Sequence, residues 1–394
     1  MTERTSANAK IDLDSHPNQP PRLGLVLSGG GARGAYQSGV LLGIAEIASA
    51  MGLSHPFKIV TGVSAGAVNA ASLVSSQADF GDVATKLTKD WSTITPDQVF
   101  KTDAMSVGRL GFKFMFDTAM GALHKKKLAR SLLDTSPLRK YLEKNIPFSE
   151  IANTLKSGKI ESLALTAMNY TNSNSMTFVQ SHNPSAMWDR SRRKSVQSTI
   201  GVEHVMGSGA IPLFFPPVGI GDDHYGDGCL RNTAPLSPAI HLGADRLMVI
   251  GVRRPDHLAP AVQAHIEPSL ARVLGVILNA LLMDAIEFDM ERLARINSTV
   301  DLIPTETRNK MQLRKIEYLW IRPSQDIGKI AAGLYHKLPN MIRYLVSGLG
   351  SQKEASELTS YLLFDPEFCG ELVRLGREDA LSNREAIEKF FTFS

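Results

Sequence analysis

Cysteine is nearly absent: the 394 residues hold two, Cys229 and Cys369. They form no C-x-x-C and no metal-ligand spacing, which excludes a disulfide framework and suits a reducing compartment. Net charge is small as well. Lys and Arg number 43 against 39 Asp and Glu, a formal +4, too little to point to nucleic acid as a partner. Long apolar runs are missing. The longest uncharged window, Ile59–Ala78, is interrupted by Ser, Thr, Asn, Gln and Gly, and Val205–Gly221 is broken by prolines and glycines. Neither suits a membrane span. Met1–Pro21 has no apolar core of the kind a signal peptide needs, and reads as a disordered leader.

What is present is an ordinary globular composition, 43% hydrophobic and 21% charged, with ample length for a core. Bulk disorder, collagen and a coiled coil are excluded. Leu23–Leu27 is a short apolar run that predicts a buried strand, and Ala35–Ala50 carries Val40, Leu41, Ile44 and Ile47 at helical spacing. A second unit follows, with a strand over Phe57–Thr61, a tight turn over Gly62–Gly66 and a helix over Ala67–Ser75. Two strand–turn–helix units in succession predict a parallel α/β sheet. Leu163–Asn169 and Ser175–Gln180 predict a hairpin about Thr171–Asn174. Val205–Val218 reads as an extended, proline-rich approach to a short segment ending at Asp227. Arg246–Val252 and Ile316–Ile321 read as strands. Leu270–Ile296 reads as the strongest helix, a buried one covering the sheet, with a dimer face as the alternative. From about Asp326 the pattern is helical.

Three glycine-punctuated motifs carry possible chemistry. Gly62-Val63-Ser64-Ala65-Gly66 fits G-x-S-x-G between a strand and a helix, the context of a nucleophile elbow. There the serine meets the free N–H groups of a helix N-terminus. The bland alternative is a βα turn with an N-capping serine. Ser28-Gly29-Gly30-Gly31-Ala32-Arg33-Gly34 matches the dinucleotide fingerprint G-x-G-x-x-G. The acid that binds a ribose, expected about 20 residues on, is missing: Glu46 comes too early and Asp79 too late. The other use of such a loop is a row of backbone N–H groups aimed at an oxyanion, with Arg33 adding positive charge. Asp227-Gly228 is, by itself, a common turn. None of the ten histidines sits in a catalytic motif. A Ser-Asp-His order leaves His241, His257, His265 or His336 as partners, and His241, in a helical stretch, reads as structural.

Taken together and in this order, the motifs resemble those of the patatin-like phospholipase family, over about Leu23–Val252 with weaker similarity to about Ile296. Gly209–Val218 (GAIPLFFPPV) and Asp227–Leu236 (DGCLRNTAPL) are similar to the family's segments around its aspartate. The resemblance implies a three-layer α/β/α fold with a mostly parallel sheet, here with a helical C-terminal extension. The expected division is a leader over 1–21, the hydrolase domain over 22–300, and a strand plus helices over 301–394 packing on the core. It further implies a Ser-Asp dyad, with Ser64 as nucleophile and Asp227 as general base. Gly29, Gly30, Gly31, Arg33 and Gly34 fall on the oxyanion-hole loop, Gly62 and Gly66 on the elbow, and Gly228 on the dyad loop. The family's third dyad-motif residue is usually Gly or Ala; here it is Cys229. No metal or cofactor is implied.

The implied substrates are acyl lipids: phospholipids, lysophospholipids or related esters. A small-ester esterase or acyltransferase on the same fold and a catalytically silent lipid-binding protein are the alternatives. The aromatic-rich stretch Val107–Leu123 followed by Lys125-Lys126-Lys127, and Trp188 with Arg190, Arg192, Arg193 and Lys194, are read either as core with a solvated basic end or as contacts with an anionic membrane surface. The expected location is cytoplasmic, with peripheral contact at a membrane; a dimer is the expectation left open for assembly.

Overall fold

Strand β1 (Leu23–Leu27) alternates its side chains between two cores. Leu23, Leu25 and Leu27 enter one cluster and Val26 the other. The same division recurs in β2 (Ile59–Val63), in β3 (Ser162–Asn169) and in β9 (Arg246–Ile250): Val60, Leu163 and Met248 face one way, and Ile59, Ala164, Leu247 and Val249 the other. A sheet apolar on both faces must be covered on both, and this is the origin of the three layers. The computed structural model describes residues 21–102, 131–182, 187–255, 267–310 and 314–392. Nearly all of the leader, the aromatic-rich stretch with Lys125–Lys127, and His257 and His265 lie outside the described residues.

Among the described residues the sheet has ten strands, eight of them in the order β10-β9-β1-β2-β3-β4-β6-β5, with β4 at Ser175–Ser181, β5 at Asp189–Arg190, β6 at Arg193–Gln197 and β10 at Glu317–Ile321. From β10 through β3 every pairing is parallel, and β3–β4 is antiparallel. A side ribbon, β7 (Val218–Ile220) with β8 (Asp223–Asp227), joins β3 through β8. On one face lie α1 (Gly34–Ala50), α2 (Ala65–Val74), α3 (Phe80–Ser92) and α4 (Ser136–Asn145). The other face is covered by α6 (Ser237–His241) and α8 (Asp284–Leu302). Toward the C-terminus, α10 (Ser356–Leu362) and α11 (Pro366–Ser382) join the first layer.

Four local expectations are corrected. β2 begins two residues later than predicted, because Phe57 packs edge-on against Phe80 in a loop while Ile59 takes up the register with Gly24. The turn expected over Gly62–Gly66 shrinks to one residue, since β2 runs to Val63 and α2 starts at Ala65. The approach expected to be extended contains a helix, α5 (Val202–Ser208), whose start is fixed by reciprocal bonds between Gly201 and His204. Finally, the single helix over Leu270–Ile296 is two, α7 (Leu270–Leu282) and α8, broken at Met283. Its first half is buried on one face only: Ala271, Leu278 and Leu282 are buried, whereas Leu270, Val276 and Ile277 are exposed. The break follows the polar pattern, because Asp284 opens the second helix and binds Arg253 at 2.6 Å while Met283 turns inward.

Candidate active site

Ser64 makes the whole reversal from β2 into α2, at φ 55° and ψ −125°. A non-glycine residue there carries strain of about 1–3 kcal/mol and persists only where its surroundings hold it. The flanking glycines give room. A Cβ on Gly62 would run into the Gly66 carbonyl, and one on Gly66 into the Leu27 carbonyl. The Ser64 N–H donates to Ser208 Oγ at 2.9 Å, and Ser208 Oγ donates to the Thr166 carbonyl at 2.6 Å. The Ser64 hydroxyl makes no capping bond to α2. It donates instead to Asp227 Oδ2 at 2.7 Å.

Register explains how residues so distant meet. β2 ends at Val63, opposite Thr166 of β3. β4 occupies the other edge of β3 throughout, so β8 pairs with the edge that β2 has vacated and places Asp227 opposite Ala167. The C-terminal ends of β2 and β8 therefore meet head to head. The Asp227 N–H donates to the Ala210 carbonyl at 3.0 Å, and its Oδ1 accepts the Cys229 N–H at 2.9 Å. Gly228 is required here because a Cβ would strike the Thr166 carbonyl. Asp227 is fully buried. Loss of hydration pushes its carboxyl up to about 6, against the lowering effect of the bonds from Ser64 and Cys229. A carboxylate with that proton affinity is a far better base than a free one.

The glycine loop lies beside this pair. A Cβ on Gly29 would meet Cys229 Sγ and would stand 3.0 Å from Ser64 Cβ. Gly31, at φ 58°, lines the cleft that opens on Ser64. Gln37 Nε2 holds the Ser28 carbonyl at 2.8 Å, Asn69 holds Gln37 Oε1 at 2.9 Å, and Trp91 Nε1 holds Asn69 Oδ1 at 2.7 Å. Two of the expected loop donors are committed elsewhere: the Arg33 N–H to the Gly30 carbonyl and the Gly34 N–H to Ala32 and Gly31. The Arg33 side chain also departs from expectation. Its guanidinium is turned to Glu357, Ser360 and Tyr361 and not to the Ser64–Asp227 pair. Thus Ser64, Asp227, Gly29 and Gly31 come together, and the Arg33 charge does not join them.

Ser64 lines a cleft that is partly open to solvent. Its walls are mostly apolar, with Val68, Trp91, Leu138, Leu142, Val205 and Phe215 among them; Asp90 and Asn145 line it too, and no Lys or Arg among the described residues does. Among the described residues no histidine bonds to Asp227. His241 stacks on the buried Trp188 at 4.9 Å, and burial, with Arg190 and Arg193 nearby, lowers its pKa to about 4. No cluster of His, Cys, Asp or Glu among the described residues is arranged to hold a metal, and no helix there is long and apolar enough to cross a membrane. Ser208, Gln37 and Asn69 escaped sequence reasoning, since each is a lone polar residue whose partner is set by the tertiary fold.

Residues 25–240, more than half of the chain, match the family model of the patatin-like phospholipases. No curated protein matches the chain. Among solved structures, VipD from Legionella pneumophila aligns at 17% identity with a TM-score of 0.31, over 87% of this chain and 67% of its own. The type III effector ExoU of Pseudomonas aeruginosa aligns at 14% identity and TM-score 0.37, over 94% and 54%. Human GIVD cytosolic phospholipase A2, in complex with methyl gamma-linolenyl fluorophosphonate, aligns at 12% and 0.37, over 94% and 60%. The chain thus spans between about half and two thirds of the length of these structures.

Proposed function

The chain belongs to the patatin-like phospholipase family, and from that premise we propose that it is a serine lipid acyl hydrolase that cleaves carboxylic ester bonds of phospholipids or lysophospholipids through an acyl-enzyme on Ser64. The observation that carries this reading is the 2.7 Å bond from Ser64 Oγ to a fully buried Asp227, at the mouth of an apolar cleft.

Asp227 Oδ2 takes the hydroxyl proton as Ser64 Oγ attacks the ester carbonyl carbon. The carbonyl oxygen becomes an oxyanion, and backbone N–H groups of the Gly29–Gly31 loop are the donors that meet it. Collapse of the tetrahedral intermediate expels the alcohol, which leaves with the proton from Asp227. Water then attacks the acyl-enzyme, again giving its proton to Asp227, which returns it to Ser64 Oγ as the acyl–oxygen bond breaks and the fatty acid departs. The strained backbone of Ser64, held by Ser208, keeps the oxygen aimed while the acyl chain fills the cleft. The mostly apolar walls favour selection by the acyl chain.

The test is acid quenching during turnover of a long-chain ester, followed by peptide mass spectrometry. A peptide bearing Ser64 gains the mass of the acyl group in the wild type and in none of the Ser64→Ala samples. An acyl adduct on another residue, or none under turnover, contradicts the scheme.

A further inference from the structure

Arg33 belongs to the glycine loop by sequence, yet all three guanidinium nitrogens face the C-terminal part of the chain. Nη2 binds Glu357 Oε2 at 2.5 Å, Nε binds Ser360 Oγ at 2.8 Å, and Nη1 lies 3.6 Å from Met283 Sδ. The guanidinium also stands 4.7 Å over the Tyr361 ring. Arg33 is 3% exposed, and Glu357 is its only ion-pair partner among the described residues. Glu357 is fixed in turn by Asn279 Nδ2 at 3.1 Å, and Tyr361 Oη donates to Asn279 Oδ1 at 2.7 Å. Burial raises the Glu357 carboxyl, but the Arg33 charge and the bonds from Arg33 and Asn279 outweigh it and hold it below the usual range. A second contact lies one turn away: the Gly31 α-carbon rests against the Tyr361 carbonyl, where a Cβ would collide. Helix α10 thus grips the loop through a backbone contact at Gly31 and a side-chain contact at Arg33. It lies well outside residues 25–240, where the family model matches.

We propose that Glu357 is a positioning residue for ester hydrolysis, and that Arg33 serves the reaction by anchoring the Gly29–Gly31 backbone to α10, not by lending its charge to the oxyanion. The inference rests on the proposed acyl hydrolase reading, in which that backbone meets the oxyanion. It makes a segment beyond the family match part of the active site. It also separates two roles that a basic residue in such a loop can play. A charge acting on the oxyanion would be strengthened by removing its acidic neighbour; an anchor would be lost with it.

The experiment compares wild type, Glu357→Gln, Glu357→Ala, Arg33→Ala and the double alanine variant, with Glu378→Gln, at an exposed position, as control. Two readouts are used: kcat and KM on a soluble long-chain ester, and amide hydrogen exchange of the peptide over residues 28–34. Thermal melts verify folding. Glu357→Ala should lower kcat by about tenfold to a hundredfold, with KM within about twofold, and should speed exchange over 28–34 while β2 stays protected. Glu357→Gln, which keeps an acceptor for Arg33, should recover part of both and carries the test if the alanine variant does not fold. The double variant should be no worse than the poorer single one, because both remove the same link. Wild-type kcat and exchange in Glu357→Ala, a raised kcat, or losses that multiply in the double variant overturns the proposal. The exchange measurement reads the anchor without turnover. A wild type that hydrolyses no ester therefore contradicts the acyl hydrolase reading and still leaves the loop–helix link decided.

Discussion

Ser64 Oγ donates a 2.7 Å hydrogen bond to Asp227 Oδ2 across 163 positions of sequence, and both residues are buried. The same short segment holds the two backbones: Ser208 accepts the Ser64 N–H and Ala210 the Asp227 N–H. Ser64 and Asp227 are thus held from one side by two residues of one segment, Ser208 and Ala210.

The buried carboxyl makes a pH-dependent prediction. Asp227 in the folded chain holds its proton up to about pH 6, against 3.8 for the ordinary group. The folded state therefore binds more protons between those values. Its contribution to stability is complete below about pH 4 and is lost as pH rises through about 6. Asp227→Asn removes that dependence. At pH 8 it should be more stable than wild type by about 2 kcal/mol, and the gain should vanish near pH 4. Hydrolysis by wild type should fall below an apparent pKa of about 6, about tenfold per unit. Urea melts at both pH values and a pH–rate profile verify this; equal stability differences at pH 4 and pH 8 contradict it.

Ser208→Ala leaves the Ser64 N–H buried without its acceptor. The expected cost is about 1–3 kcal/mol of stability, with kcat reduced about tenfold or more by loss of aim at Ser64. Ser208→Thr, which keeps the hydroxyl, should recover part of the loss. Kinetics at saturating ester together with melts distinguish these outcomes.

Gly29→Ala places a methyl group against Cys229 Sγ and beside Ser64 Cβ. Activity should fall about a hundredfold. Adding Cys229→Gly removes the nearest obstacle and should restore part of the activity, whereas independent effects would only multiply.

Leu138→Trp fills part of the cleft opposite Ser64. kcat/KM for a sixteen-carbon ester should drop about tenfold or more while a four-carbon ester is little affected, because only the long chain needs that volume. Equal losses on both esters would place the acyl chain elsewhere.

Much of this was legible in the sequence, for physical reasons that differ by residue. Leu23–Leu27 and Ala35–Ala50 announced strand and helix by length and periodicity, and Gly62 and Gly66 marked a reversal that only small residues allow. Asp227 was legible only through the motifs around it, since an Asp-Gly pair is usually a turn and nothing local tells where its carboxylate goes. α5 was missed because seven residues between glycines are too few for a helical period to show. The Met283 break was missed because apolar spacing continues through it. The orientation of Arg33 could not be read at all: its partner Glu357 lies 324 positions away, and their meeting depends on how α10 packs.

The most direct test of the central claim is fatty acid release from mixed phospholipid vesicles by wild type, Ser64→Ala and Asp227→Asn, measured side by side. The account predicts release by wild type and a loss of about a thousandfold or more in each variant. Release that survives in both variants would contradict it.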